Sequence, residues 1–164
     1  MIGAILARGQ ARAQFARLNA HDLQGFMKAF ADDAVFDFPG QTDLSGHHVG
    51  KAAVRAFFQS MLDRFPQIHF TVRHVGVENI FSVTGTNTLL VEWDLDYTNR
   101  AGRTFHNSGV TSGSARGGKI VRLRDYLFDW IALAEANAPE SDASESPAVA
   151  GSGLGDRAPV GAPA

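Results

Sequence analysis

The fold is decided by the stretch Lys119-Ile120-Val121-Arg122-Leu123-Arg124-Asp125-Tyr126-Leu127, which alternates at the period of two that is typical of a β-strand. One face combines apolar side chains with a single carboxyl group, namely Val121, Leu123, Asp125 and Leu127. The other face carries Arg122, Arg124 and Tyr126, which suits a surface exposed to solvent or to another subunit. Burying an unpaired carboxylate is costly, so Asp125 must be protonated, hydrogen-bonded or next to a cavity. The stretch therefore predicts a half-buried strand that lines a pocket.

Helical patterns dominate the first third of the chain. A first helix is predicted over Ala4–Ala20, and Asp22 is a good N-cap for a second helix that includes Phe30. A third helix carries an unbroken apolar stripe and ends before Pro66; the stripe consists of Val54, Phe57, Phe58, Met61, Leu62 and Phe65. A short strand, Ala34–Phe38, and a polar loop through Ser45–His48 separate the second helix from the third.

Strand patterns follow the third helix. The candidate strands are Ile68–Val77, Ile80–Val83, Thr86–Tyr97, Arg103–Thr111 and Lys119–Phe128. Helices first and an antiparallel meander afterwards predict an α+β fold in which helices cover one face of a curved sheet.

The composition excludes several classes of protein. A chain of 164 residues with 45% hydrophobic residues is long enough for one domain with a substantial core. The net charge of −2 and the lack of a Lys/Arg cluster argue against nucleic-acid binding. The chain has no cysteine, which excludes disulfides and thiolate chemistry. The apolar N-terminal segment Ile2–Ala7 is too short to span a membrane and is a poor signal peptide, so we expect a cytoplasmic protein.

The end of the chain differs in composition from the rest. Residues 137–164 are rich in Ala, Pro, Gly and Ser and contain few large hydrophobic side chains. Such a segment cannot bury enough surface to offset the entropy of ordering. We therefore expect an α+β domain over residues 1–136 and a disordered tail over residues 137–164.

Two stretches carry a resemblance to a known superfamily. The first is Leu18–Leu23 with Phe30–Val35, Pro39-Gly40 and Ser45-Gly46, and the second is Gly118–Val121 with Arg124-Asp125-Tyr126. In this order and spacing they are similar to the nuclear-transport-factor-2-like superfamily, especially its SnoaL-like, ketosteroid-isomerase-like and limonene-epoxide-hydrolase-like members. The resemblance implies a cone-shaped barrel in which a curved antiparallel sheet wraps around three N-terminal helices and encloses an open apolar cavity. It also implies a homodimer formed through the outer side of the sheet.

The ketosteroid-isomerase relatives define one mechanism that can be checked against the residues. That enzyme uses an Asp base together with an oxyanion hole made of a Tyr and a protonated Asp. By resemblance, these three positions fall on Phe38, Gln14 and a residue near Val110. None of the three has the required side chain, which argues against this mechanism.

The limonene-epoxide-hydrolase relatives define a second mechanism. Their motif places a catalytic Asp at Asp125, with an Arg and a second Asp expected within Glu92–Asp96. That strand has an apolar face of Val91, Trp93, Leu95 and Tyr97 and an acidic face of Glu92, Asp94 and Asp96. If the apolar face lines the cone, Trp93 and Leu95 occupy the partner positions and the catalytic set is incomplete. The opposite facing would bury three carboxylates without an arginine, which electrostatics disfavours.

The SnoaL-like cyclases use an Asp on the last strand as general acid/base with polar helpers such as His. Asp125 matches that Asp. On the preceding strand, His106, Ser108 and Val110 share one face, and Val110 matches a pocket position of the isomerase relatives. We therefore expect His106 and Ser108 to face the pocket, where His106 would orient or ionise Asp125.

The sequence leaves two hypotheses for function. The first is a cofactor-independent, metal-free enzyme of polyketide-cyclase, isomerase or hydrolase type that acts on a small hydrophobic or aromatic molecule. Asp125 and His106 would be catalytic, and the pocket would be formed by Phe38, Trp93, Ser108, Val110 and Leu123. The second is a non-catalytic dimeric module of the same fold that binds an apolar ligand or a partner.

Overall fold

Helices and strands follow one another along the described part of the chain. The computed structural model describes residues 2–82 and 84–137, and within them there are four helices and six strands. Their bounds are α1 (Ile2–Asn19), α2 (Leu23–Met27), β1 (Phe30–Phe38), β2 (Gly46–Val49), α3 (Lys51–Arg64), β3 (Gln67–Val77), β4 (Asn87–Thr98), β5 (Thr104–Arg116), β6 (Lys119–Leu127) and α4 (Trp130–Asn137). Of the tail predicted over residues 137–164, all but Asn137 lies outside the described residues.

The strands form one curved, unclosed sheet in the order β2-β1-β6-β5-β4-β3. Its concave face carries Phe36, Trp93 and Leu123 and is covered by α1, which packs on β3, and by α3, which packs on β1. Its outer face carries charged side chains such as Asp94 and Arg124. The predicted α+β cone with three N-terminal helices is therefore confirmed. One pair, β1 with β6, is parallel, and the others are antiparallel.

Helix α3 forms as its apolar stripe predicts. The stripe residues within the helix are all buried, namely Val54, Phe57, Phe58, Met61 and Leu62. The ring of Phe57 lies 4.7 Å from that of Phe36, and the ring of Phe58 stacks on the same residue at 5.3 Å. Burying each such side chain contributes about 1.5–3 kcal/mol, which fixes α3 against the concave face.

Helix α2 begins as predicted and ends earlier. The Asp22 side chain caps it by accepting a hydrogen bond of 2.8 Å from the Gly25 amide. The helix stops at Met27, and Phe30 is the first residue of β1 rather than part of the helix. Because Phe30 is almost fully buried in either arrangement, its helical spacing to the preceding apolar residues did not distinguish helix from strand.

Two short elements differ from the sequence-based expectation. The segment expected to be a polar loop through Ser45–His48 contains the edge strand β2, which pairs with β1 in a register that places Phe36 opposite His48. Helix α4 follows the last strand and buries Leu133 and Ala136 in the core. Neither element carries a long periodic pattern, and each is held by tertiary contacts.

Candidate functional site

A cavity of about 730 Å³ lies between the concave face and helices α1 and α3. Its wall is mostly aromatic and aliphatic, and it includes Phe38, Trp93 and Leu123, which the sequence placed in a pocket. The volume lies within the range that is typical of pockets for small organic ligands. An apolar wall of this kind favours a hydrophobic molecule.

Asp125 lies in this wall, on the face of β6 expected from the sequence. Its Oδ1 accepts a hydrogen bond of 2.6 Å from the hydroxyl of Thr111, the residue directly opposite on β5. Burial raises the pKa of Asp125 from 3.8 to about 7, and the Thr111 hydrogen bond opposes this only in part. The side chain is therefore a carboxyl group that can hold or release a proton near neutral pH.

The start of β6 departs from strict alternation. A register shift occurs opposite Ser114 and Ala115, so Ile120 lines the cavity, although the alternation predicted Val121 at that face. An extra residue in one strand of a pair reverses the facing on one side of the irregularity. Leu123 and Asp125 lie beyond it, and their facing is unaffected.

Trp93 fixes the Thr111 hydroxyl from the other side. The indole Nε1 donates a hydrogen bond of 2.9 Å to Thr111 Oγ1, and the Trp93 side chain is only 2% exposed. Gly109, opposite Trp93 in the sheet, leaves room for the indole: a Cβ there would lie 2.7 Å from Cη2 of Trp93. The three side chains of Trp93, Thr111 and Asp125 thus form one hydrogen-bonded row across β4, β5 and β6.

The facing of β5 is opposite to the one expected from the sequence. Asn107 and Thr111 line the cavity, and Gly109 lies on the same face beneath the Trp93 ring. Ser108 and Val110 lie on the outer face, where Val110 pairs with Glu92 and Tyr126.

His106 also lies on the outer face. Its Nδ1 is 2.9 Å from Oδ1 of Asp96, and its side chain is 64% exposed. The expectation that it contacts Asp125 is therefore wrong as to position. Both faces of β5 carry small or polar residues, so polarity alone could not fix the facing, which follows instead from the fit of Trp93 over Gly109.

Two polar atoms in the cavity wall have no hydrogen-bond partner among the described side chains and backbone groups. They are Oε1 of Gln14, on α1, and the hydroxyl of Tyr97, on β4. Burial raises the pKa of Tyr97 to about 12, which keeps the hydroxyl protonated at neutral pH. An unpaired buried polar atom costs about 1–3 kcal/mol, and a rearrangement of the wall that lets a ligand reach either atom would recover that energy.

The outer face pairs its charges. Asp94 forms an ion pair with Arg73, and Glu92 lies 2.7 Å from His74, so the acidic side of β4 faces outward as the sequence favoured. Asp37 on β1 accepts hydrogen bonds from Arg122 and Arg124, which protrude from the outer face of β6. The three arginines neutralise carboxylates on the outer face and do not line the cavity.

Other kinds of site find no support in the described part of the chain. Within it, no group of three or more His, Cys, Asp or Glu residues is arranged to hold a metal ion. No described helix combines the length and the apolar character needed to cross a membrane.

Sequence reasoning missed Thr111 and Tyr97 as polar groups of the cavity, and it reached Gln14 only by resemblance, as the residue at the position of the isomerase tyrosine. Thr111 stood at the end of a candidate strand, and Tyr97 was assigned only to an apolar face. The available signal was the pairing of bulky Trp93 with a small residue on the next strand, because an inward indole requires space there. That signal would have placed Gly109, and with it Thr111, on the concave face.

An α+β cone, in which helices cover a curved and unclosed sheet, is the fold of the nuclear-transport-factor-2-like proteins. Within that class, the family profile of the SnoaL-like domain matches residues 11–123, and the chain belongs to this family. No curated protein matches the chain.

Solved structures show the same fold at low sequence identity. Bal32a from a soil-derived mobile gene cassette is 19% identical, with a TM-score of 0.68 over 80% of this chain and 95% of its own. A protein of unknown function from Burkholderia pseudomallei is 19% identical, with a TM-score of 0.67 over 80% of this chain and 97% of its own. A Mycobacterium tuberculosis protein, solved in complex with estradiol-17beta-hemisuccinate, is 21% identical, with a TM-score of 0.61 over 74% of this chain and 92% of its own.

Proposed function

We propose that this protein is an enzyme that binds a small hydrophobic or aromatic molecule in the cavity and moves a proton on it, with Asp125 as general acid/base. The observation that carries the proposal is the position of Asp125: a carboxyl group in an apolar wall with Thr111 as its hydrogen-bond partner in the described residues. The estradiol derivative bound by the Mycobacterium tuberculosis relative is itself a hydrophobic polycyclic molecule. It supports the ligand class by analogy.

The acid/base behaviour of Asp125 fits this role. General acid/base catalysis is most effective when the pKa of the group lies close to the working pH. Burial brings the pKa of Asp125 to about 7, so the protonated and ionised forms are both populated at neutral pH. A carboxyl group on the outer face, such as Asp37 with its pKa near 2, would be ionised permanently and could not act as an acid.

The proton transfer needs no cofactor. The ionised carboxylate of Asp125 removes a proton from a substrate carbon next to a carbonyl group; the C–H bond breaks, an O–H bond forms, and the electron pair moves into the carbonyl. If the proton returns to a different carbon, the result is an isomerisation. If the resulting enolate carbon attacks a second carbonyl of the same molecule, the result is a ring closure, in which the new alkoxide takes the proton from Asp125.

The polar residues that the sequence predicted beside Asp125 do not line the cavity, so other residues must assist it. His106 and Ser108 lie on the outer face and cannot contact a ligand in the cavity. The cavity wall instead offers the side-chain amide of Gln14 and the hydroxyl of Tyr97. The Gln14 amide nitrogen can donate a hydrogen bond to a negatively charged oxygen that develops on the substrate, and the Tyr97 hydroxyl can do so once the atoms that cover it move aside.

Solvent deuterium exchange tests the proposal without knowledge of the natural substrate. The protein is incubated in D₂O with a panel of hydrophobic ketones and 1,3-dicarbonyl compounds, and deuterium incorporation is followed by mass spectrometry. We expect incorporation above the buffer rate for a subset of the panel, and loss of that excess in Asp125→Asn. The matched control is Asp96→Asn on the outer face, which removes a carboxylate without touching the cavity.

The alternative is the non-catalytic binding module. It predicts that panel compounds bind, as detected by displacement of a fluorescent hydrophobic probe, while deuterium incorporation stays at the buffer rate in the wild type. That result would overturn the enzymatic proposal. The homodimer and the cytoplasmic location expected from the sequence stay predictions.

A further inference from the structure

The hydroxyl of Thr111 lies between the indole N–H of Trp93 and the carboxyl group of Asp125. Trp93 Nε1 lies 2.9 Å from Thr111 Oγ1, and Thr111 Oγ1 lies 2.6 Å from Asp125 Oδ1. The three residues stand on neighbouring strands β4, β5 and β6. Their order, from donor to hydroxyl to carboxyl group, determines where the protons are.

The direction of both hydrogen bonds follows from the chemistry of the indole. An indole N–H can only donate, so Thr111 Oγ1 must accept from Trp93. A threonine hydroxyl has a single proton, and the remaining short contact of Thr111 is with Asp125 Oδ1. Thr111 therefore donates to Oδ1 of the ionised carboxylate. In the protonated form this bond persists when the carboxyl proton lies on Oδ2, because a proton on Oδ1 would leave the Thr111 proton without this acceptor.

Because Oδ1 of Asp125 already accepts a hydrogen bond from Thr111, protonation of the carboxyl group on Oδ1 is less favourable than on Oδ2. Oδ2 of Asp125 has no hydrogen-bond partner among the side chains and backbone groups that the structure describes, and the Asp125 side chain lines the cavity. We propose that Trp93 and Thr111 act as positioning residues that keep Oδ1 of Asp125 as a permanent acceptor, so that Oδ2 alone exchanges the proton with a ligand. This inference rests on the proposed function for its purpose, although the placement of the proton can be measured without any substrate.

The row is held rigidly enough to serve this purpose. The Trp93 ring meets the Phe70 ring edge-on, with 5.4 Å between centroids, and it covers Gly109, where a Cβ would also come within 2.5 Å of the Tyr126 carbonyl oxygen. The indole therefore cannot turn away from Thr111 without disrupting the packing of β3, β4 and β5. A fixed indole fixes the hydroxyl, and the hydroxyl fixes one carboxyl oxygen.

The first test is the titration of Asp125 in the absence of ligand. The protein is labelled with carboxyl-¹³C aspartate, and the Asp125 signal is assigned by its loss in Asp125→Asn. Thr111→Val keeps the shape of the side chain and removes the donor to the ionised form, so the pKa of Asp125 should rise above that of the wild type by about one unit, a tenfold gain in proton affinity. Thr111→Ser should restore the wild-type titration, because it keeps the hydroxyl.

A control on the same strand separates this effect from a general disturbance of β5. Ser112→Ala removes a hydroxyl one residue further on, where the side chain faces away from the cavity. We expect no change in the Asp125 titration for this variant. A Thr111→Val titration that coincides with the wild type would overturn the inference.

The second test reports on the proton itself. The carbonyl stretching band of protonated Asp125 is isolated as an infrared difference spectrum at a pH below its titration, with Asp125→Asn as the blank. A carbonyl oxygen that accepts from Thr111 absorbs at lower frequency, so the band should move to higher frequency in Thr111→Val. Trp93→Phe, which frees the Thr111 hydroxyl to accept instead, should give a second band from molecules protonated at Oδ1. An unchanged band in both variants would show that the row does not place the proton.

These tests can fail independently of the proposed function. If the titration shifts appear without deuterium exchange, the positioning role of Trp93 and Thr111 stands and the proposed catalytic function is wrong. If deuterium exchange is seen without the titration shifts, the proposed catalytic function stands and the positioning role of Thr111 is wrong.

Discussion

The pKa of a carboxyl group is lowered on the outer face of the sheet and raised on the concave face, and consecutive residues of β6 lie on opposite faces. On β6, Arg124 protrudes from the outer face and pairs with Asp37, and the next residue, Asp125, faces the cavity. Burial raises the pKa of Asp125 to about 7. For Asp37 partial burial acts in the same direction, but hydrogen bonds from His47, Arg122 and Arg124 outweigh it and lower the pKa to about 2.

The comparison shows that the identity of the partner decides the result. Asp37 has charged donors, which stabilise the carboxylate more than desolvation destabilises it. Asp125 has a single neutral hydroxyl from Thr111, which cannot compensate for the loss of water. Asp37 on the outer face is therefore held as a carboxylate in ion pairs, whereas Asp125 on the concave face titrates near neutral pH. Four predictions test this difference, from the largest expected effect to the smallest.

The largest effect is expected on catalysis. Asp125→Asn keeps the shape of the side chain and removes the acid/base group, so proton exchange with responsive panel compounds should fall by about 10²–10⁴-fold. The measurement is the initial rate of deuterium incorporation. Asp96→Asn should stay within about twofold of the wild type, because a partner of His106 on the outer face has no access to the ligand. Equal losses in both variants would remove the distinction between the two faces.

The next effect concerns stability and pH. Folding raises the pKa of Asp125 from 3.8 to about 7, so the stabilisation linked to its proton is complete below about pH 4 and is lost as the pH rises through 7. The wild type should therefore lose stability relative to Asp125→Asn over this window, by up to about 4 kcal/mol in the free energy of unfolding. Urea denaturation of both proteins from pH 4 to pH 8 measures the difference. A constant difference across the window would show that Asp125 titrates normally.

The contribution of Asp37, on the outer face, to stability should have the opposite pH dependence. The pKa of Asp37 is lowered in the folded state, so its contribution is present above about pH 4 and is lost as the pH falls toward 2. Asp37→Asn should cost about 1–2 kcal/mol at pH 7, since the pairs are partly exposed to solvent. The cost should disappear in acid, as measured by thermal unfolding between pH 2 and pH 7. A cost that grows in acid would contradict the ion-pair interpretation.

The smallest effect is expected at the unpaired hydroxyl of Tyr97. Its removal in Tyr97→Phe takes away a buried polar atom without a described partner, so the free protein should be unchanged or more stable by about 1 kcal/mol. Ser45→Ala provides the contrast, because Ser45 donates to the Pro39 carbonyl and also bonds Thr42. That variant should lose about 1 kcal/mol in the same thermal unfolding experiment. A large loss in Tyr97→Phe would reveal a partner for the hydroxyl.

The sequence was sufficient where the two sides of an element differ in polarity. Helix α3 has one apolar stripe, and β4 opposes Trp93 and Leu95 to Asp94, so the amino-acid pattern alone assigns their buried faces. The position of Asp125 on the concave face followed in the same way. The SnoaL-like resemblance supplied the order of the elements.

The sequence was insufficient where polarity is similar on both sides. On β5, Ser108 and Thr111 look equally suited to either face, and the facing is set by the room that Trp93 needs over Gly109. A register shift near Ser114 exchanges the facing of the first residues of β6. Steric fit and bulges depend on which strands become neighbours, and that information is not local in the chain.

The parallel pairing of β1 with β6 has a consequence for how the chain folds. Phe30 pairs with Ile120, so these two neighbouring strands of the sheet are separated by about 90 residues of sequence. During synthesis, β1 and the aromatic residues around it must wait for the last strand to leave the ribosome before the middle of the sheet can close. Contacts of such long range slow folding, because the entropy of closing a long loop is lost before the contact forms. The cavity and its carboxyl group are therefore incomplete until β6 has joined the sheet.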